Sequence, residues 1–280
     1  MGLRLRLSGR DFVQLLLYAL LAVTLFLTLA PIFYMLFSSL KSNSQIIGNF
    51  WSLPSPAEWG NYGEAFRGIA RYMLNTILYA LAGSGLVILL SSLSGYAFAK
   101  RKFPGKEFLF LLMLTLMMIP GILTLIPSYV LYSRLGLTDT PWVIIIAHAA
   151  AGQIMGTFLC RTFIAGIPSE LFESARMDGA SETVVYFRMV MPLSAPIIST
   201  VFIMQSVAIY NDYIWPLLTI SDNRLQMLGV GLTLFTNQFG ISDMGLQSAA
   251  YAISSVPLIL VFMFGMKYFI QGVTSGALKM

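Results

Sequence analysis

The chain has 280 residues, of which 57% are hydrophobic and only 10% are charged, with a formal net charge of +5. A soluble domain usually carries about 25% charged residues, because its surface must be wetted. The composition therefore excludes an ordinary water-soluble domain and predicts an all-α integral membrane protein. The single cysteine, Cys160, excludes an intramolecular disulfide and a multi-cysteine metal site, and we interpret it as a packing residue.

Six apolar stretches are each long enough to cross roughly 30 Å of hydrocarbon as a helix. We predict six transmembrane helices at Phe12–Leu40, Tyr72–Ala99, Phe108–Tyr132, Trp142–Cys160, Leu193–Ile220 and Ser248–Phe269. The first stretch is longer than the apolar core of a signal peptide, and no A-x-A site follows it. It is therefore predicted to be a retained helix.

The basic residues are distributed unevenly between the two sides of the predicted membrane. When the connections are numbered alternately, twelve of the 17 Lys and Arg residues fall on one side and five on the other. Basic residues that flank spans stay on the cytoplasmic side. Both termini, the loop 100–106 and the polar segment 164–192 are therefore predicted to be cytoplasmic. The outer connection 221–245 is predicted to be a loop, and the positive charge indicates topology, not nucleic-acid binding.

Small residues and prolines within the spans indicate how the helices pack. Ser91, Gly95 and Ala99 form one ridge of small residues, and Gly152 and Gly156 form another, as is typical of close helix–helix contact in membranes. Prolines lack a backbone N–H and predict kinks in the spans. They are Pro31, Pro120, Pro127, Pro216 and Pro257.

The polar segment after the fourth span is predicted to form two short helices joined at a glycine. Pro168 suits the first turn of a helix, and Gly179 can take the left-handed conformation that ends one. Ser181 is typical of the cap of a second helix, which Pro192 would close as the fifth span begins. A solvated amphipathic loop is the alternative interpretation.

Few polar side chains lie at membrane depth, where burial is costly. They are His148, Gln153, Gln205, Asn211 and Asp212. His148 is either hydrogen-bonded between helices or part of a proton relay. Asp212 is either solvated at the outer side or, with Tyr210, Asn211 and Trp215, lines a cavity suited to a polyhydroxylated ligand.

The sequence lacks both the buried ionisable groups of an ion-coupled carrier and the phosphate-binding loop of an ATPase, and this indicates where energy for transport would enter. The central spans hold almost none of the ionisable groups that a proton- or sodium-coupled carrier needs. No G-x-x-x-x-G-K-[ST] phosphate-binding loop occurs in the sequence. Uphill transport would therefore require energy from another subunit.

The polar segment resembles a known family motif. Residues 173–180 read ESARMDGA, and Pro192 follows Gly179 by thirteen residues. This pattern resembles the EAA loop in the membrane subunits of binding-protein-dependent ATP-binding-cassette (ABC) importers, with Ser174 replacing the usual first alanine. The run YNDYIWPLL, residues 210–218, is similar to the carbohydrate-importing branch. The tail resembles the six-span partner of maltose-type importers, with Met280 where glycine is usual.

This resemblance implies a type I ABC importer permease fold, with residues 1–280 forming one transmembrane domain in a bacterial or archaeal plasma (inner) membrane. It also implies that segment 164–192 docks in a groove of an ATPase. There Glu173 and Asp178 would make polar contacts, Ala175 would allow close approach and Gly179 would permit the turn, while Pro192 completes the motif. The tail 271–280 would reach between the ATPases.

The resemblance further implies a set of partners: a second permease subunit, a cytoplasmic ATPase dimer, an extracytoplasmic solute-binding protein and membrane lipid. ATP and Mg would be bound by the ATPases, so this chain would be a transport subunit without cofactor or enzymatic activity. The expected solute is a sugar or oligosaccharide, with Tyr210, Asn211, Asp212 and Trp215 on its path. A glycerol-phosphate-type solute is one alternative, and a self-sufficient secondary transporter is the alternative from a different class.

Overall fold

The computed structural model describes the backbone of residues 9–239 and 243–277, and the side chains of residues 13–236 and 243–267. The helices in chain order are α1 (Gly9–Ser38), α2 (Asn43–Gly48), α3 (Gly60–Lys100), α4 (Lys106–Thr115), α5 (Gly121–Arg134), α6 (Pro141–Ala165), α7 (Ser169–Met177), α8 (Glu182–Val185), α9 (Met191–Leu193), α10 (Ala195–Tyr210), α11 (Ile214–Thr219), α12 (Leu228–Phe239) and α13 (Met244–Ala277). A 3-10 turn at Leu116–Met118 and a π turn at Tyr186–Val190 join some of them. No strand occurs within these ranges, so the fold is all-α as predicted.

Within the described ranges, four helices are long and apolar enough to cross a membrane, and the number of candidate spans is six if each of two bent helix pairs is counted as one span. The four lie in α1, α3, α6 and α13, at positions that the apolar stretches predicted. Their lengths follow from composition, because a helix rises 1.5 Å per residue and about 20 apolar residues cross the hydrocarbon.

The third predicted span is not one continuous helix, and this corrects the prediction for Phe108–Tyr132. Helices α4 and α5 meet at an angle of 101°. Ile119 is extended, with φ −80° and ψ 116°, and Pro120 follows it directly. The ring of a proline disfavours the α conformation for the preceding residue, so Pro120 ends the helix instead of only kinking it.

The fifth predicted span, Leu193–Ile220, is also interrupted. Helix α10 ends at Tyr210, and α11 follows after a turn at residues 211–213. Asn211 and Asp212 therefore lie in that turn and not within a helix.

The predicted outer loop 221–245 is partly wrong as well, because it contains α12. The start of the second span is also earlier than predicted, since α3 begins at Gly60.

The described residues divide into two compact units. The first comprises residues up to 68 together with 236–253, and the second comprises 69–235 together with the residues from 254 onward. In the first unit, Lys41 is buried, and its ammonium group donates to the carbonyl of Phe50 at 3.0 Å. Asn61 donates to the carbonyls of Ser39 and Lys41 at 3.0 and 3.2 Å, so the buried backbone at the end of α1 is satisfied.

In the second unit, the predicted small-residue ridges are contact surfaces. A Cβ atom added at Gly95 of α3 would lie 2.5 Å from the Cβ of Cys160 in α6, and one added at Gly156 would lie 2.7 Å from that of Ser91. Cys160 is buried, in agreement with its interpretation as a packing residue. An apolar cluster continues from this contact to the polar segment and includes Phe172 of α7 and Val185 of α8.

We expect Gly95→Ala to destabilise the protein by about 1 kcal/mol. The new methyl group would lie 2.9 Å from the backbone nitrogen of Arg161, which cannot rotate away, and overpacking of this kind costs about 1–3 kcal/mol. The gain in helix propensity offsets about 0.5–1 kcal/mol of that cost. The matched control is Gly85→Ala on the same helix, where no atom lies within 4 Å and stability should rise slightly. The measurement is the denaturation midpoint of each variant in detergent, and equal shifts in both would contradict the packing role.

Candidate functional site

The polar segment 164–192 forms two short helices joined by a tight turn, as predicted. Gly179 has φ +83°, and its N–H donates to the carbonyl of Arg176 at 3.0 Å. The N–H of Ala180 donates to the carbonyl of Ala175 at 2.9 Å. These two bonds define a Schellman motif, in which a left-handed residue closes the end of a helix. The Ser181 side chain then accepts from the N–H of Val184 and begins α8.

The predicted coupling residues occupy two different environments in this segment. Glu173 and Asp178 are exposed, and neither makes a side-chain hydrogen bond or ion pair with another described residue. Ala175 is half-buried and packs against the apolar cluster that contains Phe172. Between the two acids, Met177 is 87% exposed, which is unusual for a large apolar side chain beside a structured turn.

Pro192 does not end the second helix of the segment, and this corrects the sequence prediction. The helical path continues from α8 through the π turn to Leu193, and the break falls at Ser194, where the two arms of the bent pair meet at 76°. Pro192 and Pro196 both lack the N–H that a continuous helix requires. The N–H of Met191 donates to the carbonyl of Tyr186, five residues earlier, so the helix widens just before Pro192.

A polar network that the sequence did not predict joins this segment to the end of α3. The Glu182 carboxylate accepts from Arg176 Nε at 2.9 Å and from Arg101 Nη1 at 2.5 Å. It also accepts from the Tyr96 hydroxyl at 2.9 Å. The hydrogen bond with Glu182 raises the pKa of Arg176 above its ordinary value. The sequence did not indicate this network, because Arg101, directly after α3, and Tyr96 of α3 lie 81 and 86 residues away from Glu182 in the chain.

Of the four residues predicted to line a solute path, the structure brings two to one cavity. Tyr210 is buried, and its hydroxyl donates to the carbonyl of Ser254 at 2.7 Å. Asn211 is exposed, and its amide donates to the carbonyl of Val207 at 2.9 Å. Tyr210 is thus bonded to α13 and Asn211 to α10, and neither lines the cavity. Asp212 and Trp215 are the two predicted residues that do line it.

That cavity has a volume of about 470 Å³ and is lined by α5, α6, the turn at Asp212 and α11. His148 Nε2 lies 2.9 Å from Asp212 Oδ2, and both side chains are more than four-fifths buried. This confirms His148 as a histidine hydrogen-bonded between elements. The indole N–H of Trp215 donates to the carbonyl of Val143 at 3.1 Å, and its ring meets that of Tyr132 edge-on at 5.6 Å.

Two sequence predictions fall at least partly outside the described residues. The tail 271–280 is described only as backbone and only to residue 277, and the N-terminus that was predicted to be cytoplasmic is not described before residue 9.

Comparison with known proteins adds a family match. The model of the family "Binding-protein-dependent transport system inner membrane component" matches residues 87–275. This range includes the polar segment and every residue of the cavity.

Curated relatives match along most of the chain. The chain is 32% identical to the arabinooligosaccharides transport system permease protein AraQ of Bacillus subtilis, over 92% of this chain and 95% of the relative. It is 31% identical to the melibiose/raffinose/stachyose import permease protein MelC of the same organism, over 89% and 91%.

A solved structure is similar in fold. It is described as a bacterial ABC transporter involved in the import of the acidic polysaccharide alginate. The TM-score is 0.82 with 23% sequence identity, and the match covers 94% of this chain and 98% of the other. At this identity the match supports the fold alone.

Proposed function

Because the chain belongs to the family of binding-protein-dependent transport system inner membrane components, and is thus a multi-pass permease component of an ABC importer, we propose that it takes up a sugar or oligosaccharide. In this proposal it forms half of the translocation pathway. Segment 164–192 transmits the movement of a cytoplasmic ATPase to the spans.

The observation that carries the coupling proposal is the exposed tip of the segment. Met177 presents an almost fully exposed apolar side chain between Glu173 and Asp178, two exposed carboxylates that bond to no described side chain. An apolar anchor surrounded by polar groups is typical of the centre of a protein–protein interface. The tip therefore has the chemistry of a docking surface and fits a groove with an apolar floor and polar walls.

The other requirement of coupling is that the tip and the spans move together. Phe172 and Val185 are buried in the same apolar cluster as Val87 of α3 and Val201 of α10. The Glu182 network adds polar bonds to α3, and the Lys100 ammonium at the end of α3 donates to the carbonyl of Ile167. A displacement of the tip would therefore move α3 and α10 instead of bending a loose loop.

The remaining parts of the proposal concern orientation and partners. The excess of basic residues supports cytoplasmic termini and a cytoplasmic segment 164–192. The partners would be a second permease subunit, an ATPase dimer that binds ATP and Mg, an extracytoplasmic solute-binding protein and the surrounding lipid. The sugar assignment is supported by the names of the relatives AraQ and MelC. A glycerol-phosphate-type solute is the competing solute class, and gradient-driven uptake by this chain alone, as by a secondary transporter, is the contrary outcome that reconstitution tests.

We expect ATP-driven uptake only when this chain is reconstituted with its partners. Vesicles that contain the chain, the second permease and the ATPase should import the solute when ATP and the solute-binding protein are both present. Omission of the ATPase should reduce uptake to background, because this chain has no phosphate-binding loop of its own. Omission of the second permease should do the same, because this chain forms only half of the proposed pathway. Vesicles that contain the purified chain alone, with an imposed proton or sodium gradient, are the matched control. Robust uptake by that control would contradict the proposal and favour the secondary transporter.

A further inference from the structure

We propose that the groove between α1 and segment 50–53 binds one phospholipid, with an acyl chain along α1 and the phosphate group at Lys41. The groove has a volume of about 590 Å³, in the range of small-molecule sites, which is about 300–1,000 Å³. It lies wholly within the first compact unit and shares no lining residue with the cavity at Asp212. Binding there does not depend on which solute is imported.

One wall of the groove is a single face of α1. Its lining residues from Ala22 to Phe37 follow the i, i+3, i+4, i+7 spacing of one helix face, and all of them are Ala, Leu, Phe or Tyr. Residues 22–37 rise about 22 Å along the helix, whereas one leaflet contributes about 15 Å of hydrocarbon. The wall is therefore long enough for a whole acyl chain.

The other wall is segment 50–53, which folds back on α1. The Phe50 ring stacks on that of Tyr34, with centroids 4.2 Å apart, and the Trp51 ring meets Phe50 edge-on at 4.9 Å. An isolated helix presents a convex surface to lipid, whereas this segment makes the surface concave. Trp51 is 84% exposed, and tryptophan is enriched where hydrocarbon meets the headgroups, so segment 50–53 marks that level.

A buried charge without a counter-charge lies at one end of the groove. Lys41 is 1% exposed and lines the groove, and the candidate span in α1 ends three residues earlier, at Ser38. The Lys41 ammonium donates to the carbonyls of Phe50 at 3.0 Å and Asn49 at 3.5 Å, but it forms no ion pair with a described residue. The Ser38 hydroxyl is also buried, and it has no hydrogen-bond partner among the described residues. Buried lysines are normally paired and buried hydroxyls hydrogen-bonded, so this end lacks an anionic partner.

A phospholipid has the chemistry that both parts of the groove require. Its phosphate lies just outside the hydrocarbon, which is the depth of Lys41, and carries the negative charge that the ammonium lacks. Next to apolar walls this attraction acts at a lower effective dielectric constant than in water and is correspondingly stronger. The acyl chain then covers the apolar face of α1, where Phe26 is 70% and Phe33 is 53% exposed.

The size of the groove argues against a helix of the second permease subunit as its occupant. A helix is about 10–12 Å across with its side chains, so a length of about 15 Å takes up about 1,200–1,700 Å³. That is at least twice the volume of about 590 Å³ in the groove. An acyl chain is much thinner than a helix and fits between the two walls.

The first experiment fills the groove with a side chain. The complex that contains the full-length chain is stripped of lipid in detergent and titrated with dioleoylphosphatidylglycerol, and bound lipid is counted by native mass spectrometry. Ala30→Phe places a ring in the groove and should bind one lipid fewer per copy of this chain. The matched control is Ala19→Phe, at an exposed position of α1 that does not line the groove, and its count should not change. An unchanged count in Ala30→Phe would overturn the inference. So would loss of subunit assembly in that variant, because the groove would then hold the second permease.

The second experiment tests whether Lys41 recognises the phosphate. Dioleoylglycerol has the same chains but no phosphate, so its affinity for this site should be about tenfold lower than that of dioleoylphosphatidylglycerol. Lys41→Gln should abolish this difference by lowering the affinity for the phospholipid about tenfold. The matched control is Arg67→Gln, which removes an exposed cation of α3 that bonds to the carbonyl of Gly63 in its own helix, and the difference should persist.

Two results of the second experiment would overturn the assignment of the phosphate to Lys41. One is a tenfold difference that survives in Lys41→Gln. The other is an equal affinity of the two lipids for the unaltered complex, and this comparison is decisive even where Lys41→Gln does not assemble.

Discussion

Replacing Gly179 with valine is expected to lower ATP-driven uptake about 30-fold while the chain still folds and assembles with its partners. Gly179 has φ +83°, and a Cβ atom added there would meet no atom within 4 Å. The cost therefore comes from the backbone alone. A left-handed conformation costs an ordinary residue about 1–2 kcal/mol, and a β-branched residue is at the upper end. About 2 kcal/mol corresponds to a roughly 30-fold loss of the conformation that docks.

The readout that separates coupling from folding is the number of ATP molecules hydrolysed per solute imported. This ratio should rise strongly in Gly179→Val, because hydrolysis continues while the tip no longer holds its shape. Gly179→Asn is the matched control, since asparagine visits the left-handed region more readily than other residues and should retain most of the uptake. Normal uptake per ATP in Gly179→Val would contradict the proposal that this turn transmits the movement of the ATPase.

The helices were predictable from the sequence where local composition determines them. The apolar stretches in α1, α6 and α13 are long enough to require a helix in lipid, because every backbone group must be paired within the segment. The sharp break at Pro120 was not predictable in the same way. A proline in a membrane helix often only kinks it, and the angle of 101° depends on packing against other helices. Helix α12 was missed because it lies in a connection that was expected to be irregular.

The same distinction applies to the candidate sites. The turn at Gly179 and the cap at Ser181 depend on neighbouring residues, so the sequence alone indicated both. The bond between His148 and Asp212 joins residues 64 apart, and only the packing of α6 against α10 and the following turn creates it. Asn211 and Tyr210 were grouped with Asp212 because they are adjacent in sequence, yet adjacent residues at a helix end point in different directions.

Removing the Glu182 carboxylate is expected to increase amide hydrogen exchange in α7 about 30-fold and to lower uptake by a similar factor. Glu182, Arg101 and Arg176 have side-chain exposures of 43%, 48% and 33%, so each ion pair contributes about 1 kcal/mol at most. The bond from the Tyr96 hydroxyl contributes about as much, and it becomes weaker when the acceptor loses its charge. In Glu182→Gln both ion pairs are lost and the hydroxyl bond is weakened, so the expected total is about 2 kcal/mol and hence roughly 30-fold.

Two further variants test whether Glu182 acts through this network. Glu107→Gln is the matched control, because Glu107 also accepts from an arginine, Arg161 at 2.7 Å, but lies on α4 outside the segment. It should leave exchange in α7 unchanged. The double variant Glu182→Gln with Arg101→Gln should lose less than the sum of the two single variants, since both remove the same interaction. Protected α7 amides in Glu182→Gln would mean that apolar packing of Phe172 and Val185 alone fixes the segment on α3. Strictly additive losses would mean that Glu182 acts without Arg101.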